Sequence, residues 1–222
     1  MELVHGTRST VLETRTIGDA WLGVADRILR LGAPAAWDER PTLEISTFTL
    51  DVAEPDPGDP QIARFADPER LAWMHANFTD FTRVRALGDA ASYASRLHDY
   101  LRTGRDQIQW AIDRLAADHS RRDVVITTLE PTLDTTYVPC VSLLDFWIPD
   151  GRLELVVAAH SIDFGTKGYA NLVELADLQH RVAHALDVPV GRLTMTVKSA
   201  HIYDSEIEAM QQTCAAATAP ED

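Results

Sequence analysis

Cys140, Asn171 and the pair His201 and Tyr203 are the residues of this chain whose side chains could do chemistry together. A cysteine is nucleophilic even when only a modest fraction is thiolate, and a cationic neighbour lowers its pKa further. An asparagine amide offers one acceptor and two donors in a single plane. His201 and Tyr203 are two apart, so on a strand they project from one face and can bond the same hydroxyl group. The adjacent Arg121 and Arg122 could grip an anion, each charge-assisted hydrogen bond contributing roughly 1.5–3 kcal/mol. Every one of these residues also has an ordinary role. A free cysteine in an apolar strand is usually packing, Asn171 can cap a helix, and two arginines can neutralise a helix C-terminus. Cys140 with His160 or His201 as base would make a cysteine hydrolase, but a cysteine and two histidines occur by chance in many chains of this length.

The elements that must position these groups are legible from periodicity. Trp21, Val24, Ala25, Ile28 and Leu29 predict an amphipathic helix, with Asp19 to cap its start and Gly32 to end it. Thr42–Val52 predicts a strand, followed by a surface loop through the Pro and Asp cluster at 54–60. The pattern from Pro68 to Leu101 is weakly helical, whereas Ile108, Ala111, Ile112, Leu115 and Ala116 mark a clear helical stripe ending near His119. Strands are predicted at 124–128, 141–148 and 153–159, and the Pro149, Asp150 and Gly151 turn folds residues 140–159 into an antiparallel hairpin. Leu172 to Leu186 predicts a long helix, and 193–202 a last strand. Helices first and a sheet carried by the second half imply an α+β fold.

With 222 residues the chain is expected to form one domain, 1–222. Met1–Thr10 carries no apolar run and no segment reaches the roughly 20 apolar residues of a membrane span, so a cytoplasmic protein without a membrane partner is expected. Two cysteines are too few for a disulfide framework and lack the neighbours that a metal site needs. Asp and Glu outnumber Lys and Arg by 34 to 20, a net charge of -14 that disfavours a nucleic-acid polymer as partner. A small phosphate ligand stays compatible, because salt screens distant charge over roughly 10 Å.

The stretch from Tyr137 to Tyr203 resembles the core of the thymidylate synthase superfamily, in three pieces that fall in order. Pro139-Cys140 opens a strand that ends in the Pro149-Asp150-Gly151 turn; Ser161-Ile162-Asp163 is followed by Asn171 eight residues after the aspartate; His201-Ile202-Tyr203 lies thirty residues beyond Asn171. Asp106-Gln107-Ile108, Ser120-Arg121-Arg122, and Gly88-Asp89 followed by Tyr93 match the segments upstream. Ala170-Asn171 and 199–203 look most like the compact archaeal-type branch, which is related to pyrimidine nucleotide hydroxymethylases. The resemblance implies a mixed or antiparallel sheet with helices packed on one face.

It also implies an activity: transfer of a one-carbon unit from 5,10-methylenetetrahydrofolate, or a related pterin, to C5 of a pyrimidine nucleotide. C5 is a poor nucleophile until a group adds at C6 and turns the ring into an enolate, the part that falls to Cys140. Tyr93 is the further catalytic match, and Glu69 is the nearest candidate for the family's general acid/base glutamate. Asn171 would read N3–H and O4 of uracil, where an aspartate accompanies cytosine. His201 and Tyr203 would bind the sugar, Asp163 the pterin, and Ser161 and residue 160 the nucleotide. Arg121 and Arg122 would reach the phosphate of a partner subunit, which makes a homodimer. The chain departs from the pattern at His160, where the family has an arginine that binds phosphate and activates the cysteine, and at Val141, where larger members have histidine. Glu69 fits the family spacing poorly. Two readings therefore stand beside methyl transfer: a 5-hydroxymethylase, and a catalytically weak nucleotide-binding homologue.

Overall fold

The first helix shows how the sequence sets the scaffold. In the computed structural model, which describes residues 10–135 and 137–219, α1 (Ile17–Leu31) buries Trp21, Val24, Ala25 and Ile28 along one stripe. Its cap is Thr16, whose hydroxyl accepts the Asp19 N–H at 3.2 Å, and not Asp19. Asp19 sits in the first turn, where its charge meets the positive end of the helix. Gly32 ends the helix as expected, its N–H bonding Ile28 O at 2.8 Å. The N-terminal residues 1–9, whose sequence lacks an apolar run, lie outside the described residues.

Strands appear in both halves of the chain, so the second half does not carry the sheet alone as expected, and the strand predicted at Thr42–Val52 is joined by two more. β1 (Thr10–Thr14), β2 (Ala33–Trp37) and β3 (Arg40–Val52) join one mixed sheet with the later strands. β2 is Ala-Pro-Ala-Ala-Trp, with no β-branched residue, and forms because it folds back antiparallel onto β3. The segment after β3 is only partly surface loop. Asp59 is 3% exposed and accepts N–H bonds from Gly18 at the start of α1 and from Gln61 and Ile62 at the start of α2 (Pro60–Phe65), so one carboxylate joins two helix N-termini.

The weakly helical stretch resolves into α3 (Pro68–Thr79), the two-residue strands β4 (Arg83–Val84) and β5 (Ala90–Ala91), and α4 (Tyr93–His98). α5 (Gln107–Ala117) follows, capped by Asp106. Then come β6 (Val125–Thr127), β7 (Val141–Trp147) and β8 (Leu153–Asp163), with β7 and β8 forming the expected antiparallel hairpin across a turn where Gly151 takes φ 74°. α6 (Gly168–Ala185) is a crossover that returns β9 (Val190–Tyr203) parallel to β8. α7 (Ile207–Thr218), which periodicity did not announce, packs on α1.

The sheet order is β1-β3-β9-β8-β7-β6, with β2 paired to β3. Helices pack on one face, and β8 records this by alternation: Leu153, Leu155, Val157 and Ala159 are buried while Val156 and Ala158 are exposed. No helix among the described residues is long and apolar enough to cross a membrane.

Candidate active site

Topology brings the candidate residues Cys140, His160, Ser161, Asp163, Asn171 and His201 to one end of the sheet. β7 runs antiparallel to β8, so the start of β7, at Cys140, meets the end of β8, where His160, Ser161 and Asp163 lie. β8 and β9 run parallel and therefore end together, pairing Ser161 with Ser199 and Asp163 with His201. α6 starts five residues after β8 and brings Asn171 to the same end.

The backbone of Cys140 is held from two sides. The His160 N–H donates to the Cys140 carbonyl at 3.0 Å, and the Val141 N–H donates to the Tyr93 hydroxyl at 3.0 Å. Tyr93 is buried, stacks on Phe78, and has its ionisation pushed far up by burial, so it stays a neutral phenol. The loop leading to the cysteine is tied to α4 by Arg96. This buried guanidinium donates to Ala91 O and Thr128 O and grips Asp134 with two nitrogens at 3.0 and 2.7 Å. Removing one partner of such a buried pair costs roughly 3–5 kcal/mol, so the approach to Cys140 is firmly specified.

The thiol is not sealed in hydrocarbon. Cys140 is partly buried, and the Tyr137 hydroxyl lies 3.9 Å from its Sγ. Burial pushes the thiol pKa above its ordinary value, and Asp163 adds to this, while the Tyr137 hydrogen bond and the charge of Lys167 pull it down. Val141, the residue after Cys140, points into the core.

Asn171 is 4% exposed. Its Nδ2 donates to the Lys167 carbonyl at 2.9 Å, while its Oδ1 is buried with no hydrogen-bond partner among the described residues. One acceptor and one amide hydrogen of the carboxamide are thus left over. His201 is similar: Nδ1 lies 3.5 Å from the hydroxyls of Ser161 and Ser199, and Nε2 is buried without a partner. The His201 and Tyr203 rings meet edge to face at 5.1 Å, on one face as the spacing predicts. Buried polar atoms are rarely left unpaired, and two at one sheet end need an explanation.

Other expected residues behave differently. The His160 ring faces Ser142 Oγ at 3.4 Å, and burial and the nearby Lys198 lower its pKa, so it adds no fixed charge. The Asp163 carboxylate accepts from Gly165 N–H at 2.9 Å, Thr166 N–H at 3.4 Å and the Thr166 hydroxyl, shaping the turn before α6 and keeping limited acceptor capacity for a ligand. Arg121 pairs with Asp123 at 2.9 and 2.6 Å, and Arg122 is exposed. Both precede β6, whose register against β7 sets Val125 opposite Asp145 and so puts its start toward the end of β7 away from Cys140. Glu69 is exposed on the first turn of α3, and among the described residues no hydrogen bond or ion pair joins its side chain to Cys140, Tyr93 or Asn171.

Three neighbours escaped the sequence reading. Tyr137 lies beside Cys140, the charge of Lys167 acts on its thiol, and Arg40 stacks on the Tyr203 ring at 3.7 Å. Lys167 is four residues before Asn171, a helical interval that could have signalled its place; Arg40 offered no local signal, because its contact joins the neighbouring strands β3 and β9, which lie far apart in sequence. Two cavities, of about 580 and 210 Å³, lie elsewhere: one between α1 and α7, the other beside Asp67, Arg70, Gly165 and Thr166.

Comparison with known proteins gives the family. The family model described as thymidylate synthase matches residues 57–221, a span that contains Cys140, Asn171 and His201. A protein of Methanococcoides burtonii, provisionally named a thymidylate synthase, is 30% identical over 210 residues, covering 91% of this chain and 93% of its own. One of Methanosarcina barkeri with the same name is 30% identical over 204 residues, covering 88% and 90%. The thymidylate synthase of Varicella-zoster virus (strain Dumas) is 32% identical over 123 residues, 54% of this chain and 41% of the viral protein. A match of this description places the chain among pyrimidine C5 transferases. The chain belongs to the thymidylate synthase family, in its archaeal branch.

Proposed function

We propose that this protein transfers a one-carbon unit from 5,10-methylenetetrahydrofolate, or a related pterin, to C5 of a uracil nucleotide, with Cys140 as the nucleophile that adds at C6. The observation that carries the reading is the Asn171 carboxamide. A uracil edge presents N3–H as donor and O4 as acceptor, and the unpartnered Oδ1 with the remaining Nδ2 hydrogen complements that pair. An unpaired buried acceptor costs roughly 1–3 kcal/mol, which ligand binding recovers.

The chain's own residues divide the work. Cys140 adds to C6, the neutral Tyr93 hydroxyl lies at its backbone for proton handling, and His201 Nε2 with Tyr203 meets the sugar. The pterin supplies the one-carbon unit, and Asp163 faces it with what its turn leaves free. Arg121 and Arg122, remote from their own Cys140, serve the phosphate of a second subunit. The uncovered sheet face, with Val156 and Ala158 exposed on it, supports a homodimer that stacks two sheets.

Release of tritium from C5-labelled dUMP, dependent on reduced folate and abolished in Cys140→Ser, is the expected result. Product analysis then separates methyl from hydroxymethyl transfer. The neutral His160, turned toward Ser142, favours a second reading, a nucleotide-binding homologue with weak turnover. Wild-type protein that binds dUMP but releases no tritium would support that reading over ours.

A further inference from the structure

The residue at position 160 cannot be the source of positive charge at the nucleophile. Among the described residues its backbone N–H is the group hydrogen-bonded to Cys140; its ring bonds Ser142, and burial and the charge of Lys198 lower its pKa. A thiolate in a partly buried setting needs a donor and a cation from somewhere else.

Two side chains supply what is missing. The Tyr137 hydroxyl lies 3.9 Å from Sγ, within reach of a hydrogen bond to sulfur. Burial raises the Tyr137 pKa far above the ordinary phenol value, so its proton stays in place as a donor across the working range. Lys167 stands at the N-cap of α6 with its backbone fixed on both sides: its N–H donates to Asp163 O at 3.1 Å, and its carbonyl accepts from the Asn171 N–H at 3.0 Å and from Asn171 Nδ2 at 2.9 Å. Its ammonium group makes no ion pair among the described residues, and Cys140 lies within its field.

We propose that Tyr137 and Lys167 together stabilise the Cys140 thiolate, Tyr137 by donating its O–H to the sulfur and Lys167 by providing the charge that residue 160 lacks. The inference rests on Cys140 being the nucleophile. It gives Lys167 two linked tasks, because the residue whose carbonyl fixes the Asn171 amide also carries a cation whose charge acts on the sulfur. Charge and base-reading group are therefore anchored at one helix start.

The test is the pH dependence of Cys140 alkylation by iodoacetamide in the free full-length chain, read by mass spectrometry of the Cys140 peptide in a Cys214→Ser background. Tyr137→Phe and Lys167→Met should each move the alkylation midpoint to higher pH and slow the reaction at pH 8 by about fivefold. Lys167→Arg should retain the parent profile, and His160→Gln should leave it in place. Profiles of Tyr137→Phe and Lys167→Met that superimpose on the parent would overturn the proposal, as would an unshifted Lys167→Met beside a shifted His160→Gln. No nucleotide or folate enters this assay, so its failure is separate from a failure of the proposed transfer reaction.

Discussion

Asn171 donates one amide hydrogen to the Lys167 carbonyl at 2.9 Å, and this bond decides which half of the carboxamide is spoken for. A carbonyl accepts only from nitrogen here, so Nδ2 is fixed inward and Oδ1 is the atom left without a partner.

Asn171→Asp should therefore change base preference and carry a folding cost. The carboxylate would lose the bond to Lys167 and meet a carbonyl instead. dUMP affinity should fall by about 10-fold or more, with preference shifting toward dCMP, and calorimetric titration of both nucleotides checks this. Unchanged dUMP affinity in the variant would remove Asn171 from base recognition.

His201→Phe separates a ligand contact from a packing residue. Nε2 is buried and unpaired, so an apolar ring of similar shape should leave stability unchanged or raise it by about 1 kcal/mol. Nucleotide binding should weaken at the same time. Urea unfolding and dUMP titration of one preparation measure both, and a loss of stability with intact binding would contradict the assignment.

Much of this geometry was legible in the sequence, and what escaped has physical causes. The β7–β8 hairpin, α6 and β9 follow from strong periodicity and one proline-glycine turn, so the end of the sheet where Cys140, Asn171 and His201 converge could be drawn in advance. β1 and β2 could not, because they are short and held by pairing to β3 rather than by propensity. Arg96 reads as a surface residue of a short helix; its partner Asp134 is 38 positions away, and no local pattern carries that information. Asp59 was hidden in the same way, since its bond to Gly18 joins distant segments. The state of the Cys140 thiol depends on the summed field of Tyr137, Lys167 and Asp163, which only the fold assembles.

Stability should respond to pH through His160. Burial lowers its folded pKa below the ordinary 6.5, so the neutral ring's contribution is present above the unfolded value and is lost as pH falls through the folded one. Wild type should lose more stability than His160→Gln between pH 7.5 and pH 5 in urea unfolding. Equal losses would show that the ring is not held neutral.

The exposed sheet face carries a prediction about assembly. Wild type should sediment at twice the chain mass, and Val156→Glu, which puts a charge among exposed apolar positions of β8, should sediment as a monomer with little turnover. A monomeric wild type would contradict the crossing role of Arg121 and Arg122.

The most direct test of the account is covalent capture of the nucleophile by 5-fluoro-dUMP with a reduced folate, followed by peptide mapping. The account predicts a nucleotide adduct on the Cys140 peptide and none on the Cys214 peptide. Bound ligand with no adduct on Cys140, or an adduct carried by Cys214, would contradict it.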